Sequence, residues 1–148
     1  MKGKLTWPIF WALIGVFIVV VCLFFIPVFR DLLQGSELFL APIAVFFLLG
    51  VALIFFTVRE KVRGIHKKFL LLTGASAVGF FVSILLHNAI YGLFIHFFGA
   101  DFWERIGLGG DEPVFFILAI FICPLGFLVG AVGSVVLAIK NKRAKYSS

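Results

Sequence analysis

The chain has 148 residues, of which 63% are hydrophobic and 14% are charged, and its net charge is +6. A soluble domain is nearer half apolar, with about a quarter of its residues charged, so the composition excludes an ordinary soluble domain. The cations lie in short segments between apolar runs, a distribution that does not point to nucleic acid as a partner.

Four runs without Asp, Glu, Lys or Arg follow one another, at residues 8–29, 38–58, 69–98 and 114–139. Each exceeds the about 18–20 apolar residues that cross a bilayer core of ~30 Å. Backbone groups in lipid must be hydrogen-bonded internally, and these runs do not alternate polar and apolar residues as barrel strands do. The sequence therefore predicts one all-α membrane domain over residues 1–148, an antiparallel bundle of four transmembrane helices.

The charges between the spans alternate in sign. Eleven of the thirteen basic residues lie in the N-terminal segment, the loop 59–68 and the tail 140–148, whereas six of the seven acidic residues lie in the loops 30–37 and 99–113. Lys and Arg next to a span are retained in the cytoplasm, the positive-inside rule. We therefore expect a multi-pass protein of the plasma membrane with both termini cytoplasmic.

The third run is longer than the bilayer is thick. Residues 69–98 would make about 45 Å of helix, so we expect this helix to project outward or to break near Gly92 or Gly99. His87 would then lie near the outer edge of the hydrocarbon core. Trp103, in the following loop, stands where an aromatic belt contacts lipid headgroups.

Small residues recur every four positions in the last two spans. They are Ala75, Gly79 and Ser83 in the third span, and Gly126, Gly130 and Ser134 in the fourth. Residues four apart share a helix face, and small residues let helix backbones approach closely in lipid. We predict GxxxG-type packing between these two helices. The same faces could instead bind another membrane protein or a second copy of the chain.

One cluster of polar residues has side chains suited to binding or proton transfer. It lies at the outer end of the third span and in the loop after it. Its members are His87, Asn88, Tyr91, His96, Asp111 and Glu112. The acidic pair precedes Pro113, a pattern typical of a helix start. Hydrogen bonding between helices is one interpretation of the cluster. An outward-facing site for a proton or a hard cation is another, although no ligand spacing is diagnostic.

Redox and cofactor chemistry has little support in the sequence. A haem held within the chain would need histidines on two helices, and the histidines inside the spans all lie on the third. Cys22 and Cys123 do not form a CxxC pair, and we expect both to be buried thiols. No catalytic residue, cofactor or metal site is predicted.

The leading functional interpretation is a non-enzymatic interaction or accessory subunit of a membrane assembly, packed through small-residue helix faces. The alternative is a small transporter or a ligand- or ion-binding membrane protein, with an outward-facing site around His87, Asn88 and Tyr91. The basic inner loop reads VREKVRGIHKKF. Such a loop attracts anionic lipid, at about 1 kcal/mol per basic residue. The role of its basic residues in fixing the orientation of the spans would by itself explain the charge.

Overall fold

The structure, a computed structural model, describes residues 4–28 and 40–146. In chain order its helices are α1 (Thr6–Phe25), α2 (Leu40–Arg59), α3 (Gly64–Phe98), the short α4 (Phe102–Arg105), α5 (Pro113–Ile117) and α6 (Cys123–Tyr146), with a π-helical turn at Leu118–Ile122. These residues contain no β-strand. Helices α1, α2, α3 and the continuous helix from α5 to α6, called the fourth span, are long and apolar enough to cross a membrane. For the described residues, the predicted all-α class and the predicted four helices of membrane-spanning length and apolarity are confirmed.

Two spans are longer than predicted: the fourth span continues to Tyr146 rather than ending at residue 139, and α3 starts early. Helix α3 begins at Gly64 rather than at residue 69 and runs without a break through Gly92 to Phe98. Its 35 residues make about 52 Å of helix, well over the ~30 Å of a bilayer core. Gly99 ends the helix with φ of 95°, a conformation that glycine adopts without strain. The predicted outer ends of the first two spans and the loop 30–37 lie outside the described residues.

A widened turn accommodates the proline of the fourth span. Pro124 has no N–H to donate to the Ile120 carbonyl group, and such a residue ordinarily kinks a helix. The chain instead forms a π-helical turn, in which the Cys123 N–H donates to the Leu118 carbonyl oxygen. The turn holds one extra residue immediately before the proline. Such π-bulges are frequent at functional sites.

Helix α3 is central and contacts both α2 and the fourth span. Its crossing with α2 is formed by two glycines. A Cβ added to Gly50 would stand 3.0 Å from the Gly74 carbonyl oxygen, and one added to Gly74 would stand 3.0 Å from the Gly50 carbonyl oxygen. Such close approach needs small residues. No GxxxG-type pattern marks this crossing in the sequence, because neither glycine has a second small residue four positions away.

The glycines of α6 face α3. A Cβ on Gly130 would lie 2.7 Å from the Thr73 backbone nitrogen and 2.9 Å from the Phe69 carbonyl oxygen. A Cβ on Gly126 would meet the Ser76 hydroxyl group. The two backbones are therefore nearly in contact at these points.

The rest of the two predicted rows is partly in this interface. Gly79 faces Cys123, and Ser83 and Ser134 are buried. Ala75, in contrast, is exposed, so the contact row departs there from the predicted one. The physical reason is the pitch of the helix. Residues spaced four apart are displaced by about 40° around the helix at each step. The buried residues instead follow alternating steps of three and four residues.

Helix α1 packs mainly on α2 and reaches the fourth span through aromatic rings. Phe17 stacks on Phe127 with ring centroids 4.3 Å apart, and both rings contact Phe46. Beside these rings lies an apolar cavity of about 180 Å³ between α1 and the fourth span. We call it the lateral cavity. It opens between Phe24, Phe25 and Ile120, which are exposed.

Candidate functional site

The polar cluster predicted at the outer end of the third span, called the outer cluster, places one histidine of α3 against the start of the fourth span. His87 Nδ1 lies 3.1 Å from the Glu112 carbonyl oxygen and 3.3 Å from Glu112 Oε2. A carbonyl oxygen only accepts, so this arrangement requires the proton on Nδ1. The other ring nitrogen, Nε2, lies 3.6 Å from Asp111 Oδ1, which is an ion-pair distance rather than a hydrogen bond. His87 therefore ties α3 to the residues that begin the fourth span.

Glu112 caps that span. Its side chain accepts hydrogen bonds from the N–H groups of Val114, at 2.8 Å, and Phe115, at 3.0 Å. These N–H groups have no partner within the helix, and a carboxylate also suits the positive helix end. The Glu112 side chain is only 5% exposed, against 54% for that of Asp111. Asp111 supports the cap by accepting the Glu112 N–H at 2.8 Å.

The other predicted members of the cluster divide into two groups. The Tyr91 ring lies 6.4 Å from that of His87 and stacks on Trp103, which is buried. Asn88 is exposed, and its amide donates to the Ile84 carbonyl oxygen of its own helix. His96 is exposed and contacts only its neighbour's ring among the contacts described. The structure thus brings together His87, Tyr91, Asp111 and Glu112, and leaves Asn88 and His96 outside.

Within residues 4–28 and 40–146, no three His, Cys, Asp or Glu side chains converge as metal ligands. Cys22 and Cys123 are both free thiols. The contacts described for the outer cluster are the helix cap of Glu112, the hydrogen bond of His87 and its close approach to Asp111.

A second polar cluster lies where α1 begins and α2 ends. Glu60 accepts hydrogen bonds from the Leu5 N–H at 2.9 Å, from the Thr6 N–H at 3.2 Å and from the Thr6 hydroxyl group. It therefore caps α1 from the turn that follows α2. The Thr6 hydroxyl and the Leu5 N–H hold the pKa of Glu60 below its usual value. No local pattern could have predicted this pairing, since 54 residues separate Glu60 from Thr6.

The same cluster borders a polar pocket of about 530 Å³, which we call the basic pocket. Its lining comes from the start of α1, the end of α2, the turn that follows, the start of α3 and the end of α6. It includes Thr6, Trp7, Arg59, Lys61, Arg63, His66 and Asn141. The His66 ring packs edge-on against Trp7, with centroids 5.4 Å apart. Its Nε2 atom is buried and has no hydrogen-bond partner among the described residues. An unsatisfied buried polar group costs the folded protein about 1–3 kcal/mol. A ligand that formed a hydrogen bond with this atom would therefore stabilise the complex.

Comparison with known protein families, with curated proteins and with solved structures finds no match for the chain. Function is therefore inferred from its residues and their geometry.

Proposed function

We propose that the four spans form an antiparallel bundle in the plasma membrane, with both termini cytoplasmic. Two contacts support this arrangement. Glu60, between α2 and α3, caps the start of α1, and Asn141, near the end of α6, lines the same pocket. Both contacts are expected if four helix ends meet at one rim. The cations concentrated at that rim favour its placement in the cytoplasm, where Lys and Arg next to spans are retained.

Within the membrane the protein acts as a non-enzymatic interaction or accessory subunit of an assembly. The observation that supports this proposal is that Glu112, the buried acid of the outer cluster, is fully engaged in hydrogen bonds within the chain. Its side chain and carbonyl group receive Val114, Phe115 and His87 as hydrogen-bond donors. General acid–base catalysis needs a group that can exchange its proton with a substrate, whereas this carboxylate is committed to a helix end.

The lateral cavity is the surface best suited to a partner. The small-residue faces of α3 and α6 are covered within the chain, which disfavours them as docking faces. The cavity, about 180 Å³, has an almost wholly apolar lining and an exposed rim. Helices associate in lipid through close packing, and a cavity of about 150 Å³ holds a benzene ring. One aromatic or branched side chain of a partner helix would therefore fill it.

Two tryptophan substitutions on α1 test the proposal. Val21 lines the lateral cavity and is half-buried, whereas Val19 is 48% exposed and does not line it. Native membranes solubilised in mild detergent are examined by blue-native electrophoresis and crosslinking. We expect a complex larger than the monomer for the wild type and for Val19→Trp, and the monomer for Val21→Trp. A monomeric wild-type protein, or equal assembly of the two variants, would contradict the proposal.

The alternative function, ligand or ion binding at the outer cluster around His87, Asn88 and Tyr91, has one observation in its favour. His87 Nε2 faces the half-exposed carboxylate of Asp111 at 3.6 Å, which leaves a polar edge that a ligand could reach. Against it, Asn88 bonds to its own helix. Isothermal titration with Zn²⁺ as the probe discriminates the two functions. A stoichiometric binding heat that His87→Phe abolishes would favour the alternative function. The absence of a binding heat would exclude the alternative function.

A further inference from the structure

We propose that the basic pocket binds the phosphate group of an anionic phospholipid. Its volume of about 530 Å³ is within the ~300–1,000 Å³ typical of ligand sites. Three basic side chains line it, those of Arg59, Lys61 and Arg63. Guanidinium groups bind phosphate oxygens in pairs, through donors held in a fixed plane. The pocket thus has the charge and the donors that a phosphate group requires.

The one carboxylate in the pocket is already engaged. Glu60 directs its Oε1 atom to the Leu5 N–H and its Oε2 atom to the N–H and hydroxyl groups of Thr6. Its negative charge is therefore placed on the start of α1, where the helix dipole stabilises it. The three cations have no such partner among the ion pairs of the described residues, so their positive charge remains available to an anion.

Two polar features in or beside the pocket also lack a side-chain partner among the described residues. The first is His66 Nε2, which is buried and has no hydrogen-bond partner among the described residues. The second is the first turn of α3, whose N-cap residue, Arg63, makes no side-chain capping bond. Backbone N–H groups at the start of a helix favour anions. Glu60 caps the start of α1, whereas no side chain in residues 4–28 or 40–146 forms such a cap on α3.

The backbone at Lys61 points to the same conclusion. The Lys61 N–H donates to the Val58 carbonyl oxygen, and the Val62 N–H donates to that of Thr57. This is the Schellman pattern that ends a helix, in which the left-handed position is usually glycine. Here Lys61 holds that position with φ of 54°. Lysine at this position strains the backbone, and its side chain lines the basic pocket.

The depth of the pocket favours a lipid as the source of the phosphate. The pocket lies at the ends of apolar spans, and Trp7, a residue type that prefers the headgroup region, forms part of its wall. The phosphates of the bilayer lie at that depth at high local concentration. A soluble phosphate would have to compete with them.

Native mass spectrometry of the detergent-purified chain tests the proposal, with phosphatidylglycerol and phosphatidylcholine of identical acyl chains as the probes. We expect tighter binding of phosphatidylglycerol. Arg59→Gln and Arg63→Gln should each weaken it about fivefold, the factor expected for one basic residue at an anionic lipid surface. Lys68→Gln is the matched control, because Lys68 is exposed in the same basic segment but does not line the pocket. Its effect should be less than about twofold.

Lys61→Gly keeps the test informative even if the arginine variants fold poorly. Glycine relieves the left-handed strain, so this variant should unfold at a higher temperature than the wild type and still bind phosphatidylglycerol less tightly. Equal weakening by Lys68→Gln and Arg63→Gln would show general charge attraction and overturn the pocket assignment. Binding of inorganic phosphate without a preference for phosphatidylglycerol over phosphatidylcholine would overturn the lipid assignment.

Discussion

Replacement of Gly130 by alanine tests the contact between α3 and α6. The added methyl group would lie 2.7 Å from the Thr73 backbone nitrogen and 2.9 Å from the Phe69 carbonyl oxygen. Neither backbone atom can rotate away, so the two helices must separate. Overpacking of this kind costs about 1–3 kcal/mol, and the fixed neighbours place Gly130→Ala toward the upper end of that range.

Gly15→Ala is the matched control. Gly15 also lies in a transmembrane helix, but no atom stands within 4 Å of its added Cβ. Both substitutions gain the same helix propensity, ~1 kcal/mol, so the difference between the two variants isolates the contact. We expect Gly130→Ala to be about 2–3 kcal/mol less stable than Gly15→Ala, which is the overpacking cost alone. The assay is unfolding by sodium dodecyl sulfate from mixed micelles, followed by tryptophan fluorescence. Equal unfolding free energies would refute the close approach of these helices.

Three further predictions use the same unfolding assay. Glu112→Ala removes a helix cap, worth about 0.5–2 kcal/mol, together with the His87 contact, and should destabilise the protein more than Asp111→Ala does; the reverse order would contradict the capping role of Glu112. The pKa of Glu60 is lowered by folding, so its contribution is present above the usual pKa of 4.5 and is lost as pH falls through the folded-state pKa. Glu60→Gln should therefore destabilise the protein at pH 7 and reduce the loss of stability on acidification, whereas an unchanged acid profile would argue against the α1 cap. Gly74→Ala should destabilise the crossing with α2, because its Cβ would stand 2.7 Å from an Ile54 side-chain atom and 3.0 Å from the Gly50 carbonyl oxygen; wild-type stability would contradict that crossing.

The spans could be predicted from the sequence because lipid penalises charge so strongly. Runs such as 114–139 contain no Asp, Glu, Lys or Arg, and the structure has an apolar helix at each of the four runs. The start of the fourth span was also readable, since Asp111, Glu112 and Pro113 are adjacent in the chain. These features depend on local composition, which a single sequence displays directly.

Features formed by residues distant in sequence could not be read in this way. The Glu60 cap and the Gly50–Gly74 crossing depend on how helices are arranged. Trp103 shows the same limit. Its position in an outer loop suggested contact with headgroups, yet it is 6% exposed and packs against Tyr91 and Phe94. The basic pocket is assembled from the ends of all four spans and the turn between α2 and α3, so its cations could be predicted but its shape could not.

The sidedness of the four spans determines where every site described above lies in the cell, and fused reporters measure it directly. Green fluorescent protein and alkaline phosphatase are fused in turn after Ser148, and a cysteine is placed at Gly109 in a variant lacking Cys22 and Cys123. We expect the green fluorescent protein fusion to fluoresce and the phosphatase fusion to be inactive. We also expect an impermeant maleimide to label position 109 from outside. An active phosphatase at the C-terminus, with no external labelling at 109, would contradict the cytoplasmic placement of the basic pocket.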